Sequence, residues 1–414
     1  MLLPTRSSRR ALSLARRALH TRAQTYYSPT PDFLAEHLAS NPLPSLSKST
    51  SLFLLSTTLP HLAQNLLILQ TFFPNHIASF SITPPGSEPT LSLATFTPDE
   101  SAGEGVKVWR SDLSGRPPAE VGRFQRPEKQ REEQRVEEAK GKEQGEAEMR
   151  LAGEGWAGMW RGENEVGRIE ALEGVKAESF LMLSDGRPGP VLRALDELYP
   201  TATKTGILTA ATPFITERPH TLLHNGQIHE AGTIGLAFTN SATTETHFGL
   251  SAMTEPVTIS GAQGNMLLSI DGTNSNPTQM LIGAIQRRGG VGLTKDEDFY
   301  LGLLEQGDVK RVVKILSGDP SRGALSVDME DPLLVGQTVQ FMHRSTPVSP
   351  VHPSPSLSSI TFSSIPKSDE VDDVPVGTPR VVDGFLGLSE GGFIYSNPSS
   401  AICTAPGATT TWRI

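Results

Sequence analysis

The chain has 414 residues and a formal net charge of −9, and 37% of its residues are hydrophobic. This length allows two or three domains, and the acidic balance argues against nucleic acid or anionic lipid as the main partner, because binding to phosphate groups requires a basic surface. The single cysteine, Cys403, excludes an intramolecular disulfide and a thiolate-based metal site.

The first 31 residues carry six arginines and no acidic residue. Leucines and alanines from Leu12 to Leu19 can share one side of a helix, while arginines crowd the other side. An amphipathic cationic helix of this kind is typical of a mitochondrial presequence, and the alternative is a disordered basic tail. We therefore expect residues 1–31 to be a presequence that is cleaved between Arg17 and Ser28, and the protein to act in the mitochondrial matrix.

Two segments predict the same β-α-β arrangement. The first has a strand at 51–55, a helix that begins at Pro60 and a strand at 77–82. The second has a strand at 179–183, a helix at 190–199 and a strand that begins at Gly206. Both units have an apolar triplet followed by serine and, after the helix, an aromatic residue followed by proline: Phe53-Leu54-Leu55-Ser56 with Phe73-Pro74, and Leu181-Met182-Leu183-Ser184 with Tyr199-Pro200. This similarity predicts an internal duplication.

Two segments of unusual composition interrupt these elements. From Glu128 to Arg150, 14 of 23 residues are charged, which leaves almost nothing that could be buried. We therefore predict a disordered charged insertion at residues 128–168. Serine and proline dominate residues 345–380, which predicts a long flexible loop.

The remaining segments predict antiparallel strands. Asn225-Gly226 separates the short segments 221–224 and 227–229, and both turn residues tolerate the positive φ of a type I′ hairpin. Further strands are predicted at 232–238, 256–260, 266–270 and 335–343. The expected fold class is therefore α+β, with duplicated β-α-β units, extensive antiparallel strands and the disordered charged insertion.

A possible nucleophile motif is incomplete. Residues 387–391 match the G-x-S-x-G pattern of α/β-hydrolases, in which an acid and then a histidine follow the serine. Neither follows Gly391, so Ser389 lacks its partners in the order that this fold requires. A glycine-rich turn is the preferred interpretation.

Metal and cofactor motifs are also incomplete. His220, His224 and His229 are suitable zinc ligands, but the hairpin turn separates the third from the others and no fourth ligand is near. Cys403 has no evident base partner, and the chain contains no glycine-rich nucleotide-binding motif. No apolar stretch is long enough to cross a bilayer. We therefore predict no metal, no cofactor, no enzymatic activity and no transmembrane segment.

The order and spacing of several motifs resemble the FIST family. That family's N-terminal region has an aromatic-proline pair, a glycine-rich strand and an L-x-x-N-G pattern with two later glycines, which stand here as Tyr199-Pro200, Gly206-Ile207-Leu208-Thr209-Ala210, Leu222-Leu223-His224-Asn225-Gly226, Gly232 and Gly235. The resemblance assigns residues 32–127 and 169–275 to a FIST N-terminal region. Residues 276–414 are similar to a divergent FIST C-terminal region.

The chain departs from the family pattern at two places. Thr83-Pro84-Pro85 replaces a run of small residues, and the Ser/Pro segment from Ser345 replaces a cysteine-containing strand and a glycine-rich turn. No F-box pattern precedes the domain. The resemblance is therefore to a fungal-type mitochondrial member without an F-box, and it does not support a ubiquitin-ligase receptor role.

The resemblance implies a non-catalytic sensory or regulatory protein that binds a small ligand such as an amino acid. Its implied site residues are small or polar groups at strand ends, because Thr and Asn can hydrogen-bond a carboxylate or an amine and Gly lets a ligand approach the backbone. These residues are Thr209, Ala210, Thr212, Asn225 and Gly264. Two alternatives stay open: an interaction adaptor whose charged insertion or Ser/Pro loop docks a protein partner, and an unrecognised hydrolase.

Overall fold

The computed structural model describes most of the chain, and all structural statements concern the residues that it describes. These are residues 19–42, 49–98, 105–113, 167–272, 275–287, 297–329, 331–344, 351–367, 375, 377–397 and 399–414. The predicted charged insertion at 128–168 lies outside this part except for its last two residues.

Strand residues predominate over helical ones, at 45% against 16%. The helices are α1 (Pro31–Ser40), α2 (Leu62–Phe72), α3 (Gly189–Leu198), α4 (Pro213–Thr216) and α5 (Pro277–Arg287), with a 3-10 turn at Glu170–Leu172. The strands are β1 (His20–Tyr27), β2 (Thr50–Ser56), β3 (His76–Ser81), β4 (Thr90–Thr97), β5 (Val106–Ser111), β6 (Ser179–Ser184), β7 (Thr203–Leu208), β8 (Ala211–Thr212), β9 (Arg218–His220), β10 (Leu222–His224), β11 (Gln227–His229), β12 (Thr233–Phe238), β13 (Thr243–His247), β14 (Ser251–Ala252), β15 (Val257–Gln263), β16 (Met266–Ile270), β17 (Phe299–Glu305), β18 (Asp308–Gly318), β19 (Leu325–Val327), β20 (Thr338–His343), β21 (Ser359–Ser364), β22 (Arg380–Asp383), β23 (Phe385–Ser389), β24 (Phe393–Ser396), β25 (Ser400–Cys403) and β26 (Thr409–Arg413). The predicted mixture of helices and predominantly antiparallel strands is confirmed.

The first β-α-β unit belongs to a seven-stranded sheet in the order β11-β10-β3-β2-β4-β1-β22. Its strands β2 and β3 are parallel, as a β-α-β crossover requires, and the other pairs are antiparallel. Every residue of β2 is buried, which explains why Leu52 to Leu55 are four consecutive apolar residues instead of alternating with polar ones. Leu34, Leu38 and Leu69 pack α1 and α2 against one face.

The second unit forms a six-stranded sheet in the order β25-β24-β7-β6-β12-β5. Here β6 and β7 are parallel, and α3 packs on the sheet through Val191, Leu192 and Leu195. The two units therefore have the same local topology. The predicted β-α-β arrangement is therefore present twice, and an internal duplication stays a prediction.

One hydrophobic core joins the two sheets. Successive side chains of a strand point to opposite faces, so alternate residues of each central strand enter this core: Leu52 and Leu54 from β2, and Leu181 and Leu183 from β6. The residues between them pack toward the helices. The two sheets therefore stabilise each other by sharing their inner faces.

The C-terminal segment completes the sheets of both units. β22 pairs with β1, β24 pairs with β7, and β26 pairs with β13 in a four-stranded sheet in the order β13-β26-β21-β23. Buried Trp412 contacts Phe96 of the first sheet and Phe238 of the second at ring distances of 6.2 and 5.3 Å. Residues 276–414 thus contribute to all the large sheets instead of packing by themselves.

Six of the later strands close into a ring of antiparallel pairs, in the order β17-β18-β19-β16-β15-β20 and back to β17. The closure leaves these six strands fully paired around their own core, which includes Leu301, Val313 and Phe341. α5 adds Leu281 to this core.

Two sequence predictions are corrected by the strands. Residues 20–27, predicted as presequence, form β1, which pairs with β4 over eight residues and also with β22. Cleavage as late as Ser28 would remove this strand from the interior of a sheet. Residues 359–364, predicted as part of the flexible loop, form the fully buried β21. Serine and threonine residues alternate with Ile360 and Phe362 in this strand. The serine-rich composition of the segment therefore did not indicate a core strand.

The Asn225-Gly226 hairpin is confirmed, with φ values of 49° and 80° at the two turn residues. Among the described helices, none has the length and apolar character needed to cross a membrane.

Candidate functional site

The carboxyl ends of several strands meet at one point between the two units. After β7, the Thr209 N–H donates to the Ser184 carbonyl at 2.8 Å, and the Ala210 N–H donates to the Phe80 carbonyl at 2.9 Å. The Leu208 N–H donates to the Gly392 carbonyl at 3.1 Å, which adds the turn after β23. Ligand sites of α/β sheets lie at the carboxyl ends of parallel strands. A ligand-binding site is therefore expected at this junction.

Four polar residues form what we call the carboxyl-end cluster: Asp185, Arg187, Thr209 and His220. The first two follow β6 directly, Thr209 follows β7, and His220 ends β9. Asp185 and Arg187 both act electrostatically on the His220 ring, and the His220 Nδ1 atom lies 3.4 Å from the Thr209 hydroxyl. Residues from three separate strands thus converge on one place.

Asp185 shapes the loop that precedes α3. Its Oδ1 accepts a hydrogen bond from the Arg187 N–H and its Oδ2 accepts one from the Gly232 N–H, both at 2.8 Å. The carboxylate is buried and serves two backbone donors, so it fixes the turn between β6 and α3. We therefore expect the neighbours of Asp185, and not Asp185 itself, to contact a ligand.

The α3 N-terminus lies at the same edge of the sheet. Its N-cap residue is Pro188, and no side chain caps the helix with a hydrogen bond. Uncapped N–H groups and the helix dipole favour an anion at this end. Arg187, which is exposed, adds a positive charge one residue before the N-cap.

His220 is half-buried, and its pKa is lowered from the ordinary value. Burial is the largest cause, and Arg187 acts in the same direction, whereas Asp185 and the backbone carbonyls of Ala210 and Thr209 oppose it. The imidazole is therefore neutral at pH 7 and can donate or accept one hydrogen bond. A guanidinium, a neutral imidazole, a hydroxyl and a helix N-terminus without a side-chain cap together suit a small carboxylate ligand.

Buried hydroxyl groups connect the strand ends next to the cluster. The Ser184 hydroxyl lies 2.7 Å from the Thr233 hydroxyl, and the Ser389 hydroxyl donates to the Leu208 carbonyl. The Gly391 N–H donates back to the Ser389 oxygen at 3.0 Å. In the described part of the chain, no histidine or carboxylate hydrogen-bonds Ser389, so the hydrolase motif is a structural turn.

Residues 211–220, which we call the flap, form the β8–β9 hairpin beside the junction, in contact with Thr209 through His220. At its base, the Thr221 hydroxyl lies 2.7 Å from that of Thr212 and 2.6 Å from that of Thr216. At its tip, the side chain of Phe214 is fully exposed and that of Ile215 is 44% exposed. The flap is anchored by hydroxyls and presents an apolar tip to solvent.

The structure brings together three of the five predicted site residues. Thr209 belongs to the cluster, Ala210 follows it, and Thr212 holds the base of the flap. Asn225 accepts from the His76 N–H, at the opposite end of β3 from Phe80, which places it roughly 13 Å away along the strand.

Gly264 is also separate from the cluster. It occupies the β15–β16 turn of the closed ring, with φ +57°, and its carbonyl accepts a hydrogen bond from Leu333.

Sequence reasoning missed Arg187 and Asp185, and it considered His220 only as a metal ligand. The signal was available, because Asp185-Gly186-Arg187 follows a predicted strand and precedes a predicted helix, which is where βα loops of α/β folds bind ligands. The three histidines are not grouped in one place. His224 and His229 lie 6.4 Å apart between ring centres on another sheet, and no group of metal-ligating residues occurs among the described residues.

Cys403 is fully buried, and burial raises the pKa of its thiol to about 12. It therefore stays protonated and is a core residue.

A comparison with protein families shows a similarity in the middle of the chain. Residues 120–273 match the FIST N domain. The family is associated with small-ligand sensing in signal transduction and is generally non-catalytic. The matched FIST N stretch contains β6 to β16 and all four residues of the carboxyl-end cluster. It does not reach the first β-α-β unit or the C-terminal strands, and no curated protein matches the chain.

Proposed function

We propose that this protein is a non-catalytic sensory or regulatory module that binds a small carboxylate metabolite, with an amino acid as the preferred candidate, at the carboxyl-end cluster. The observation that carries the proposal is the position of Arg187 and neutral His220 beside the uncapped start of α3, where parallel strands end. The FIST N match over this stretch supports it.

The ligand's carboxylate would lie between the Arg187 guanidinium and the α3 N-terminus. Charge-assisted hydrogen bonds of this kind are stronger than neutral ones, and the helix dipole favours the same charge. Thr209 and His220 supply a hydroxyl and an imidazole that can hydrogen-bond a second polar group, such as an amine or a hydroxyl. Because the site has one set of groups for a carboxylate and another for a second polar group, an amino acid or hydroxy acid fits better than a simple anion.

The direct test is a thermal-shift screen of a chain beginning at residue 19 against the standard amino acids and a set of mono- and dicarboxylic acids. We expect a saturable rise in melting temperature with one chemical class, because a ligand that binds only the folded state stabilises it. Arg187→Gln should weaken that binding about tenfold or more. Arg193→Gln, an exposed arginine further along α3, is the matched control and should keep it.

A flat screen with a cooperative melt would contradict the proposal and favour the adaptor alternative. Of the two segments proposed for docking, the charged insertion lies outside the described residues except for its last two, and so do residues 345–350, 368–374 and 376 of the Ser/Pro loop. The fully exposed Phe214 at the tip of the flap is the structural observation that favours a protein contact.

We also propose a mitochondrial matrix location, on the basis of the arginine-rich segment before β1.

A further inference from the structure

A second polar cleft lies in the first unit, between β1, β4 and α1, outside the stretch that matches the FIST N domain. It is shallow and partly open to solvent. Its lining includes two aromatic rings, one cation and three further side chains: Arg22, Gln24, Tyr26, His37, Leu93 and Thr95.

Strand geometry brings these residues together. Arg22, Gln24 and Tyr26 alternate along β1, so their side chains share the face that α1 covers. Arg22 stands opposite Thr95 on β4, and Gln24 stands opposite Leu93. His37 of α1 closes the cleft, with its ring 5.4 Å from the Tyr26 ring and perpendicular to it.

Two buried polar atoms in this cleft have no hydrogen-bond partner among the described residues: the Tyr26 hydroxyl and the His37 Nε2 atom. The Tyr26 side chain is completely buried. Buried polar groups in folded proteins are nearly always hydrogen-bonded, so two orphans in one cleft point to a missing partner. Burial raises the pKa of Tyr26 and, together with Arg22, lowers that of His37, so both groups are neutral and can donate a hydrogen bond.

Arg22 is the remaining charge. Its Nη1 makes one long contact, 3.4 Å, with the Asn41 carbonyl, and no described carboxylate lies within ion-pair distance of it. A half-buried guanidinium beside two neutral donors is complementary to an anion that has two oxygen atoms. The space inside the cleft is about the size of one water molecule, so only the carboxylate end of a ligand can reach these groups, from the open side of the cleft.

We propose that this cleft binds the carboxylate group of a small organic acid. Arg22 binds one or both oxygens, and the Tyr26 hydroxyl and the protonated Nε2 tautomer of His37 donate to them. Leu93 contacts the ligand's first methylene groups. The site is independent of the carboxyl-end cluster, because it lies on the helix-covered face of the other sheet.

The test is a titration of the chain beginning at residue 19 with sodium propionate, against sodium chloride at matched ionic strength. The readouts are the melting temperature and the ¹⁵N-labelled histidine ring signals. We expect propionate to shift the His37 ring signals saturably. Arg22→Gln and Tyr26→Phe should each weaken this response about tenfold or more, because each removes one direct contact to the anion.

Three controls make the outcome decisive. Arg380→Gln removes a cation from the outer strand of the same sheet and should keep the response. Arg187→Gln should also keep it, which separates this site from the proposed function. If propionate leaves the His37 signals where chloride leaves them, the cleft holds only water or a segment of the chain itself, and the proposal is overturned. The same conclusion follows if Tyr26→Phe stays folded and binds propionate as well as the parent.

Discussion

Ser389 occupies the serine position of a hydrolase motif and yet has a structural environment. Its side chain is buried, its hydroxyl donates to the Leu208 carbonyl, and its oxygen accepts the Gly391 N–H. The first bond joins β23 to the end of β7, and the second closes the turn that follows β23. The residue therefore holds the strand ends in place below the carboxyl-end cluster.

Replacing Ser389 with alanine should destabilise the protein without affecting any hydrolysis. The substitution removes the hydroxyl that donates to the carbonyl of buried Leu208, and loss of such a partner costs about 1–3 kcal/mol. Urea unfolding measures this loss, and Ser399→Ala, at an exposed position, is the control that should change little. An unchanged unfolding midpoint, or loss of an ester-hydrolysing activity on substitution, would refute the structural role.

His76 makes folding sensitive to pH. It is buried, its Nδ1 lies 2.7 Å from the Phe73 carbonyl, and its ring stacks on Phe53 at 4.8 Å. Burial lowers the pKa of His76 against the smaller opposing effect of hydrogen bonds to the backbone. The unfolded chain therefore takes up a proton at a higher pH than the folded protein does.

The free energy of unfolding should consequently fall as the pH is lowered through 6.5, the ordinary pKa, toward the lowered pKa of the folded state. His76→Asn keeps a donor for the Phe73 carbonyl and removes the titration, so its stability should depend less steeply on pH in this window. Urea unfolding between pH 7.5 and pH 5 measures both slopes. Parallel slopes would show that His76 contributes nothing to the pH dependence.

At the scale of elements, β1 decides where the folded protein begins. Eight of its residues pair with β4 and four pair with β22, and buried Ala23 and Tyr26 belong to the cores on its two faces. Without β1, the edge of β4 and both cores would be exposed.

A chain that begins at residue 19 should melt cooperatively, and one that begins at residue 32 should fail to fold. Circular dichroism and thermal melting of the two chains make the comparison. If the protein is imported, N-terminal sequencing of the processed form should give a first residue no later than 19, because later cleavage would shorten β1. A stable, cooperative chain starting at residue 32 would contradict this boundary.

The elements that the sequence predicts correctly carry a local signal. β2 and β6 each contain four consecutive apolar residues, and the Asn225-Gly226 turn requires a positive φ that few residue pairs tolerate. β1 and β21 lack such a signal, since polar residues interrupt the sequences of both strands. They are strands because distant parts of the chain pair with them.

The residues of the candidate site were likewise predictable only where the local sequence carries a signal. Thr209, Ala210 and Thr212 were predictable because they follow a recognisable strand, whereas the approach of His220 to Thr209 depends on how the flap folds back. Asn225 was a turn residue that the family pattern made prominent. Local sequence predicts strand ends, and only the assembled sheets show which ends meet.

At the scale of the whole molecule, the C-terminal strands tie the two units into one body. Fully buried Lys204 of β7 pairs with Asp196 of α3 at 2.8 Å, and Asp196 also accepts from the Ser400 N–H and hydroxyl. β24 and β25 thereby extend the sheet of the second unit, while β22 extends that of the first. The carboxyl-end cluster is thus held by a scaffold built from both ends of the chain.

The most direct measurement of the central claim is an NMR titration of the ¹⁵N-labelled histidine rings with the acid that gives the largest rise in melting temperature. A carboxylate bound beside Arg187 favours the imidazolium form, so the pKa of His220 should rise on binding, and Arg187→Gln should weaken the response. A ligand that stabilises the protein while the His220 signals stay unchanged would place the site elsewhere and contradict the account.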